Sequence, residues 1–246
     1  MDPGRALGDT LRPGGREDAA AGPDVMRRLI LFGCGNFAQM AHHFFAHDSE
    51  YEVAAFTVDG EFQESDSFRG LPVVPFEEVV ECFDPADHDL FVSVGLREVN
   101  RRRAAKVREA EEMGYALASY VGSRAIVSTD FRPRENTWVM ETAHLHPGAE
   151  IGRNCIIWSR STIGFNSSLA DDCWVAGALV GESVTIGAGT FIGLGATVAS
   201  FATVGERNVI GAGALILKDT GDEQVFRGAA SEASPVPSSR FSGFNG

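Results

Sequence analysis

From Val139 to Ile216 an aliphatic residue returns at every sixth position: Val139, Leu145, Ile151, Ile157, Ile163, Leu169 and Val175, then, after an interval of eleven instead of twelve, Ile186, Ile192, Val198, Val204, Ile210 and Ile216. A period of six is neither the 3.6 of a helix nor the 2 of a lone strand, so each unit must hold a short strand and a turn. Three units make one coil of about eighteen residues, the triangular prism of a left-handed parallel β-helix. The aliphatic points inward and stacks on its counterpart one coil away at the strand spacing of ~4.8 Å. Burying each one stabilises by roughly 1.5–3 kcal/mol, so this column is the expected core.

The other positions of the unit agree. A corner needs a small residue, and the chain supplies Cys155, Ser161, Ser167, Cys173, Thr190, Ala196, Ala202, Asn208, Ala214 and Thr220 four places after an aliphatic. Glycine often follows the aliphatic directly, as in Ile151-Gly152, Ile163-Gly164, Ile192-Gly193 and Ile210-Gly211. The short interval places one missing residue around Ala178 to Ser183. Ile156, Trp174, Phe191 and Val209 then fall one coil apart, each just before an inward aliphatic and therefore pointing out. A bare column of large apolar side chains is unfavourable, so this face is expected to be a subunit or a domain interface.

Ahead of the repeat, short apolar runs alternate with helical stretches. RRLILFGCG reads as a buried strand ending in a glycine turn, NFAQMAHHFFAHD as the following helix, YEVAAFTVD as a second strand and LPVVP as a third. FEEVVECF reads as a second helix, LFVSVG as a fourth strand, REVNRRRAAKVREAEEMG as a long polar helix and YALASYV as a fifth strand. Such alternation gives a parallel sheet with crossover helices. The expected organisation is a disordered tail over 1–25, rich in Gly, Pro, Ala and charge, then an α/β Rossmann-like substrate-binding domain over 26–122. A left-handed β-helix over 123–220 and a C-terminal extension over 221–246 follow. Met26 reads as a domain start, with the tail an upstream extension.

In a parallel sheet the ligand crevice lies outside the carboxyl ends of the strands, where strand order reverses. Gly33-Cys34-Gly35-Asn36 occupies the first such end, where glycines admit a phosphate to the backbone and a helix N-terminus offers free N–H groups. The third glycine of a dinucleotide fingerprint is missing, which argues against a nicotinamide or flavin cofactor; the alternative for Gly35 is a simple tight turn. Asp59, ending the second strand, is placed either to meet a ribose or base or to make a strand-end turn. Asn100 and Arg103 open the long helix and either face the crevice or lie on the surface.

With 21 Lys plus Arg against 34 Asp plus Glu, a net charge of -13 and no basic stripe, nucleic acid and anionic membrane are excluded as expected partners. No apolar stretch reaches the ~18 residues of a membrane span, and no basic-then-apolar leader opens the chain, so the expected location is cytoplasmic. The 44% hydrophobic content suits a globular core. Cys34, Cys82, Cys155 and Cys173 show neither metal-ligand spacing nor a disulfide framework; Cys155 and Cys173 read as stacked corner fillers. His43 and His47 lie four apart on the first helix, but no carboxylate or thiol motif joins them, and no metal is expected.

The hexapeptide array, the α/β segment with ILFGCGNFAQMAHHFFAHDS, YEVAAFTVD and LPVVPFEEV, and the ending IGAGALILKDT together resemble the bacterial hexapeptide-repeat sugar acyltransferases. That group contains sugar-nucleotide N-acetyltransferases and sialic acid O-acetyltransferases, and the resemblance covers about residues 27 to 230. It implies a homotrimer of side-by-side β-helices and a small sugar-like substrate in the N-terminal domain. Acetyl-CoA or another acyl-CoA is implied in the groove between prisms. By the same resemblance Gly33, Gly35, Asn36 and Asp59 contact the substrate, and turns around Gly193, Gly195, Gly211 and Gly213 line the CoA groove.

One departure bears on mechanism. In the family a histidine two places after a repeat aliphatic, in a segment like I-G-H-N-S, deprotonates the sugar amine or hydroxyl; here the segment is Ile163-Gly164-Phe165-Asn166-Ser167. Phe165, at the substrate side by the resemblance, cannot act as a base. A second place often occupied by histidine reads Ala178. Pro147 lies eighteen residues before Phe165, so His146 is expected one coil away and one residue aside, as the nearest replacement base. His144 belongs to the same turn, and both also fit as exposed turn histidines. Asn166 and Glu182 flank the same corner and would orient the substrate. The expected activity is transfer from acetyl-CoA or another acyl-CoA to an amino or hydroxyl group of a sugar, sugar nucleotide or related small molecule; the alternative is a diverged member lacking the histidine base that binds ligand without acetyl transfer or runs another reaction in the inherited groove.

Overall fold

The computed structural model describes residues 27–240. The expected tail over 1–25, the start at Met26 and the last six positions of the C-terminal extension lie outside the described residues.

The N-terminal part is a six-stranded sheet built from β1 (Arg27–Phe32), β2 (Tyr51–Val58), β3 (Ser67–Phe68), β4 (Leu71–Pro75), β5 (His88–Val92) and β6 (Ala116–Leu117), in the order β3-β4-β2-β1-β5-β6. All neighbours are parallel except β3 with β4. Helix α1 (Asn36–His47) covers one face and α3 (Arg101–Glu112) the other. The alternation of β1 decides this: Leu29 and Leu31 pack with Ala38, Ala41 and Phe45 of α1, whereas Ile30 and Phe32 pack with Val107 and Ala110 of α3. A strand covered on both faces is continuously apolar, as LILF is.

Two elements differ from the sequence reading. FEEVVECF forms a 3₁₀ turn at Phe76–Glu78 running into the single-turn α2 (Val79–Cys82), with Phe76 and Val79 buried in the core and Phe83 packed at its margin. YALASYV divides: Ala116–Leu117 pairs with β5, but β7 (Tyr120–Val121) leaves the sheet and pairs with β8 (Trp138–Val139) of the repeat. Ser119 fixes the bend, donating from Oγ to Arg134 O at 2.6 Å and accepting from Thr137 N at 3.1 Å.

The repeat forms three parallel sheets of two-residue strands joined by tight turns, consistent with the expected left-handed β-helix. Every aliphatic of the six-residue series is buried, from Val139 to Ile216. The corner residues do more than fit. Ser161 Oγ donates to Val175 O at 3.0 Å, Ser167 Oγ to Gly181 O at 2.7 Å and Thr190 Oγ1 to Gly205 O at 3.0 Å, tying each corner to a carbonyl of the next coil. Cys155 and Cys173 are fully buried corner fillers of the same kind, their thiols donating to Ala170 O and Gly187 O at 3.3 Å. Gly164 is required by close approach: a Cβ there would stand 2.3 Å from Gly181 O.

The missing residue sits earlier than the spacing suggested. The strands flanking it are Trp174–Val175 and Leu179–Val180, so the shortened turn is Ala176-Gly177-Ala178 and Val180 is a further inward aliphatic. Ala178 is consequently a buried corner residue, aligned with Ser161 and Ala196, and not a groove position. A six-residue count that steps from Val175 to Ile186 passes over Val180, which is why the sequence alone misplaced the deletion.

The outward aromatic column is an interface within the chain. Trp138, Ile156, Trp174 and Phe191 pair rung on rung and pack under α1, with Phe37 edge-on to Trp174 at 5.1 Å between ring centroids and Phe44 edge-on to Trp138 at 6.3 Å. Arg103 fastens a second contact and is fully buried, not a surface charge. Its guanidinium donates to Asn154 Oδ1, Asn100 Oδ1, Asn154 O and Asp172 O at 3.0–3.1 Å. Asn136, Asn154 and Asp172 form a ladder down that edge, Asn136 Nδ2 donating to Asn154 Oδ1 and Asn154 Nδ2 to Asp172 Oδ1. Asn136 also pairs with the backbone of Val92 at the end of β5. Burial lowers the Arg103 pKa to about 10, which leaves it cationic at neutral pH.

Candidate functional site

The sheet order makes β1 and β5 the place where succession reverses, since β2 and β4 lie to one side of β1 and β5 to the other. The chain must turn sharply there. Gly33 has φ of 119°, a left-handed value that favours glycine, donates its N–H to Thr57 O at 2.7 Å, and would put a Cβ 3.2 Å from Ser93 Oγ. Gly35 caps α1 in an extended conformation, open on its Cα side.

A cleft of about 540 Å³ opens outside these strand ends, bounded by Gly33, Cys34, Gly35, Asp59, Arg97 and Arg102 with apolar walls from Val58, Phe62 and Phe68. Burial pushes the Cys34 thiol pKa up, which favours its protonated form. Asp59 is held by Lys106 Nζ at 2.6 Å, and that ammonium also lies over the rings of Phe32 and Phe76 at 5.6 and 5.1 Å. Asn36 points elsewhere: it lines a shallow pocket with Gln39, His43 and Arg69 on the outer side of α1. The cleft adjoins a groove of about 1020 Å³ between the two parts of the chain, and Asp59 and Arg102 border both.

The residues expected to do chemistry lie on another part of the molecule. Pro147, Phe165 and Glu182 stack on successive coils of one prism edge: Asn166 N donates to Pro147 O at 3.3 Å and Ser183 N to Phe165 O at 2.8 Å. Phe165, Asn166 and Glu182 are exposed, with Phe165 48% accessible. Asn166 adopts the left-handed φ of 52° that the turn demands, and its side chain fills the space a side chain at Gly148 would need. His146 is half-buried on the adjacent coil, its ring stacked on His144 with centroids 4.1 Å apart. It borders a groove of about 560 Å³ running along Glu150 and Ser168 under the loop Ser128–Arg134, and Phe165 is not among that groove's walls.

Gly193, Gly195, Gly211 and Gly213 stack at the next edge, which contains the shortened turn: Gly195 N donates to Gly177 O at 3.0 Å and Gly213 N to Leu194 O at 2.8 Å. A Cβ on Gly193 would stand 2.9 Å from Ala212 N, so the coils touch there. The edge with Phe165 and the edge with the glycines border the same sheet, whose outward positions are His144, Thr162, Leu179, Thr197 and Leu215. Leu179 and Leu215 are exposed on it, as are Leu194 and Leu217 at its margins. The N-terminal part covers a different sheet, so within one chain the Gly33 cleft and the Phe165 edge do not share a pocket.

Arg97 and Arg102 in the cleft were not singled out from the sequence, where they are two members of an arginine-rich stretch. The loop Ser128–Arg134 gave no periodic signal. Among the described residues no group of three or more His, Cys, Asp and Glu is placed to hold a metal ion, and no helix is long and apolar enough to cross a membrane.

Residues 134–165 match the bacterial transferase hexapeptide (six repeats) family. Among solved structures, the acetyltransferase domain of PglB from Neisseria gonorrhoeae in complex with acetyl coenzyme A is 25% identical, with 82% of this chain and 96% of that one covered and a TM-score of 0.73. A variant of perosamine N-acetyltransferase from Caulobacter crescentus, in complex with CoA and GDP-perosamine, is 24% identical over 83% of this chain and 95% of that one, also with a TM-score of 0.73. WeeI from Acinetobacter baumannii is 17% identical over 80% and 94% at a TM-score of 0.67, a likeness of fold alone.

Proposed function

We propose that this chain, a bacterial-transferase hexapeptide-repeat protein folded along its described length like sugar N-acetyltransferases, is an acyl-CoA-dependent transferase that acetylates an amino or hydroxyl group of a sugar nucleotide or related sugar. The observation that carries this reading is the likeness of both parts together, the cleft-bearing sheet and the prism, to a 25% identical acetyltransferase domain holding acetyl coenzyme A. Acyl-CoA would supply the acyl group from its thioester, with coenzyme A leaving as the free thiol. The chain's part is to hold the acceptor, take the proton that leaves the attacking nitrogen or oxygen, and keep the thioester in place.

In this reading the N-terminal part is a Rossmann-like substrate domain, and Gly33, Gly35 and Asp59 border the acceptor. His146 is the proton acceptor, while Asn166 and Glu182 orient the sugar beside Phe165. Gly193, Gly195, Gly211 and Gly213 let the thioester arm approach the backbone. Asn36 belongs to this set only if the α1 face it lines also meets substrate. The working assembly is proposed as a homotrimer and the compartment as the cytoplasm. The trimer is supported by the exposed leucines of the sheet between the two edges, and by a cleft and an edge that need a neighbouring chain to complete one site.

The test is thiol release from acetyl-CoA with amino-sugar nucleotides as acceptors. Turnover that falls with His146→Ala supports the reading; no turnover above background, with His146→Ala indistinguishable from the parent, overturns it. Phe165 favours a second reading, in which the protein binds ligand without acetyl transfer or performs another reaction. Efficient transfer by the unaltered protein removes that second reading.

A further inference from the structure

We infer that Asn100 is a positioning residue: its side chain seats the loop between β5 and α3 on the β-helix and so sets one wall of the acceptor cleft from outside it. The inference deepens the proposed function and rests on acceptor binding in that cleft.

The loop spans 93–100 and gives Val94 and Arg97 to the cleft wall. Its near end is closely fitted. Ser93 N and Ser93 Oγ both donate to Phe32 O, at 3.1 and 2.6 Å, and a Cβ on Gly95 would stand 3.3 Å from the Phe37 ring. The far end is different: Leu96, Arg97 and Glu98 are exposed, and the backbone then enters an unfavourable conformation. Glu98, Val99 and Asn100 are consecutive left-handed residues with φ of 51°, 51° and 64°, a single left-handed turn closed by Arg101 N donating to Glu98 O at 3.2 Å. Such a turn crowds each Cβ against the following carbonyl, and a β-branched valine adopts it only under constraint.

Asn100 supplies the constraint. It stands at the N-cap of α3, where an asparagine ordinarily accepts from an N–H of the first helical turn, yet its side chain makes no capping bond. That side chain is turned to the prism instead. Nδ2 donates to Gly189 O at 3.3 Å, and Oδ1 accepts from Arg103 Nη1 at 3.0 Å. Arg103 donates onward to Asn154 Oδ1 and to Asp172 O, each at 3.1 Å. The turns of Asp172 and Gly189 belong to successive coils of one prism edge, joined by Gly189 N donating to Asp171 O at 2.9 Å. Asn100 is fully buried, so water does not compete for these bonds. An asparagine serving only α3 would bond the N–H groups of α3. This one ties a strained turn to the other part of the chain, and the cleft wall ahead of it is set before any ligand arrives. Preorganisation of this kind raises affinity by removing ordering cost.

The experiment follows Asn100→Ala and Asn100→Asp in the full chain by amide hydrogen exchange and by acetyl transfer to amino-sugar nucleotides, with calorimetric titration of UDP and GDP alongside. In Asn100→Ala, exchange at 96–99 is expected to quicken about tenfold or more while β1 and the prism coils keep parent rates. KM for the sugar nucleotide is expected to rise about tenfold, with kcat and KM for acetyl-CoA within about twofold of the parent. Asn100→Asp keeps the left-handed tolerance and the bond from Arg103 but cannot donate to Gly189 O, so it falls in between; it carries the test where the alanine variant fails to fold. Val99→Asn added to Asn100→Ala eases the left-handed turn and is expected to recover part of the lost affinity, which a general loss of stability would not show. Parent-like exchange at 96–99, or faster exchange there with parent-like KM, overturns the inference, as does a fall in kcat at unchanged KM. Unchanged KM in an active variant thus sinks the positioning role and leaves the transferase standing. In a parent without transfer, affinity for UDP or GDP that falls in the variants does the reverse. A parent that neither transfers acetyl nor binds UDP or GDP overturns both.

Discussion

Arg103 Nε of α3 donates to Asn154 Oδ1 of the β-helix across 3.1 Å, in a place where both residues are wholly buried. The guanidinium is surrounded by amide and carbonyl oxygens of two coils, so its removal orphans several acceptors at once. Arg103→Met is expected to cost about 3 kcal/mol in urea unfolding, from hydrogen bonds to a charged donor and the acceptors left behind. Asn154→Ala should cost about as much, and the double variant less than the sum. A strictly additive cycle would show that the two act independently.

Trp174 is predicted to hold the two parts of the chain together through packing. Truncation to alanine removes the partner of Phe37, Trp158 and Phe191 and should cost about 3–5 kcal/mol. Loss of near-ultraviolet dichroism ahead of far-ultraviolet signal would mark release of α1 from the prism; an unchanged midpoint would contradict the packing account.

Gly164→Ala should destabilise by about 1–3 kcal/mol, because the new methyl meets backbone on the next coil and no side chain can move aside. Gly195→Ala meets no atom, but its φ of 66° strains any side chain, so its cost should be smaller and backbone in origin. Melting temperatures of the two variants, ranked against each other, check this.

Acid stability should respond to Asp48. Its carboxylate accepts from Tyr120 Oη at 2.5 Å and Ser123 N at 2.9 Å, and these bonds, Tyr120 first, hold its pKa below the usual carboxylate value. A carboxyl whose folded pKa is depressed stabilises above its unfolded pKa, and that contribution is lost as pH falls through the folded one. Asp48 remains partly exposed, so the effect should stay below about 1 kcal/mol. Asp48→Asn should lessen the fall in unfolding midpoint below about pH 4; an identical acid limb would exclude the residue.

If the Phe165 edge retains the rest of a transfer site, Phe165→His should raise acetyl transfer by about 10²- to 10⁴-fold, the usual contribution of a general base. The same change in a His146→Ala background separates a restored base from a cooperating pair. Equal rates with and without the introduced base would place the chemistry away from this edge.

The six-residue period was sufficient to specify the prism, because inward burial imposes one aliphatic on each unit whatever surrounds it. The short apolar run LILF likewise placed β1, and the stretch NFAQMAHHFFAHD after the glycine turn placed α1. The glycine turn was legible for the same local reason: the sharp reversal after β1 demands Gly33. Tertiary structure alone decided that Trp174 faces α1 of its own chain, that Arg103 is buried, that the deletion lies at Ala176–Ala178, and that YALASYV divides between two sheets. Those outcomes depend on which surfaces meet, and contacts such as Arg103 with Asn154, 51 positions apart, leave no periodic trace in a sequence.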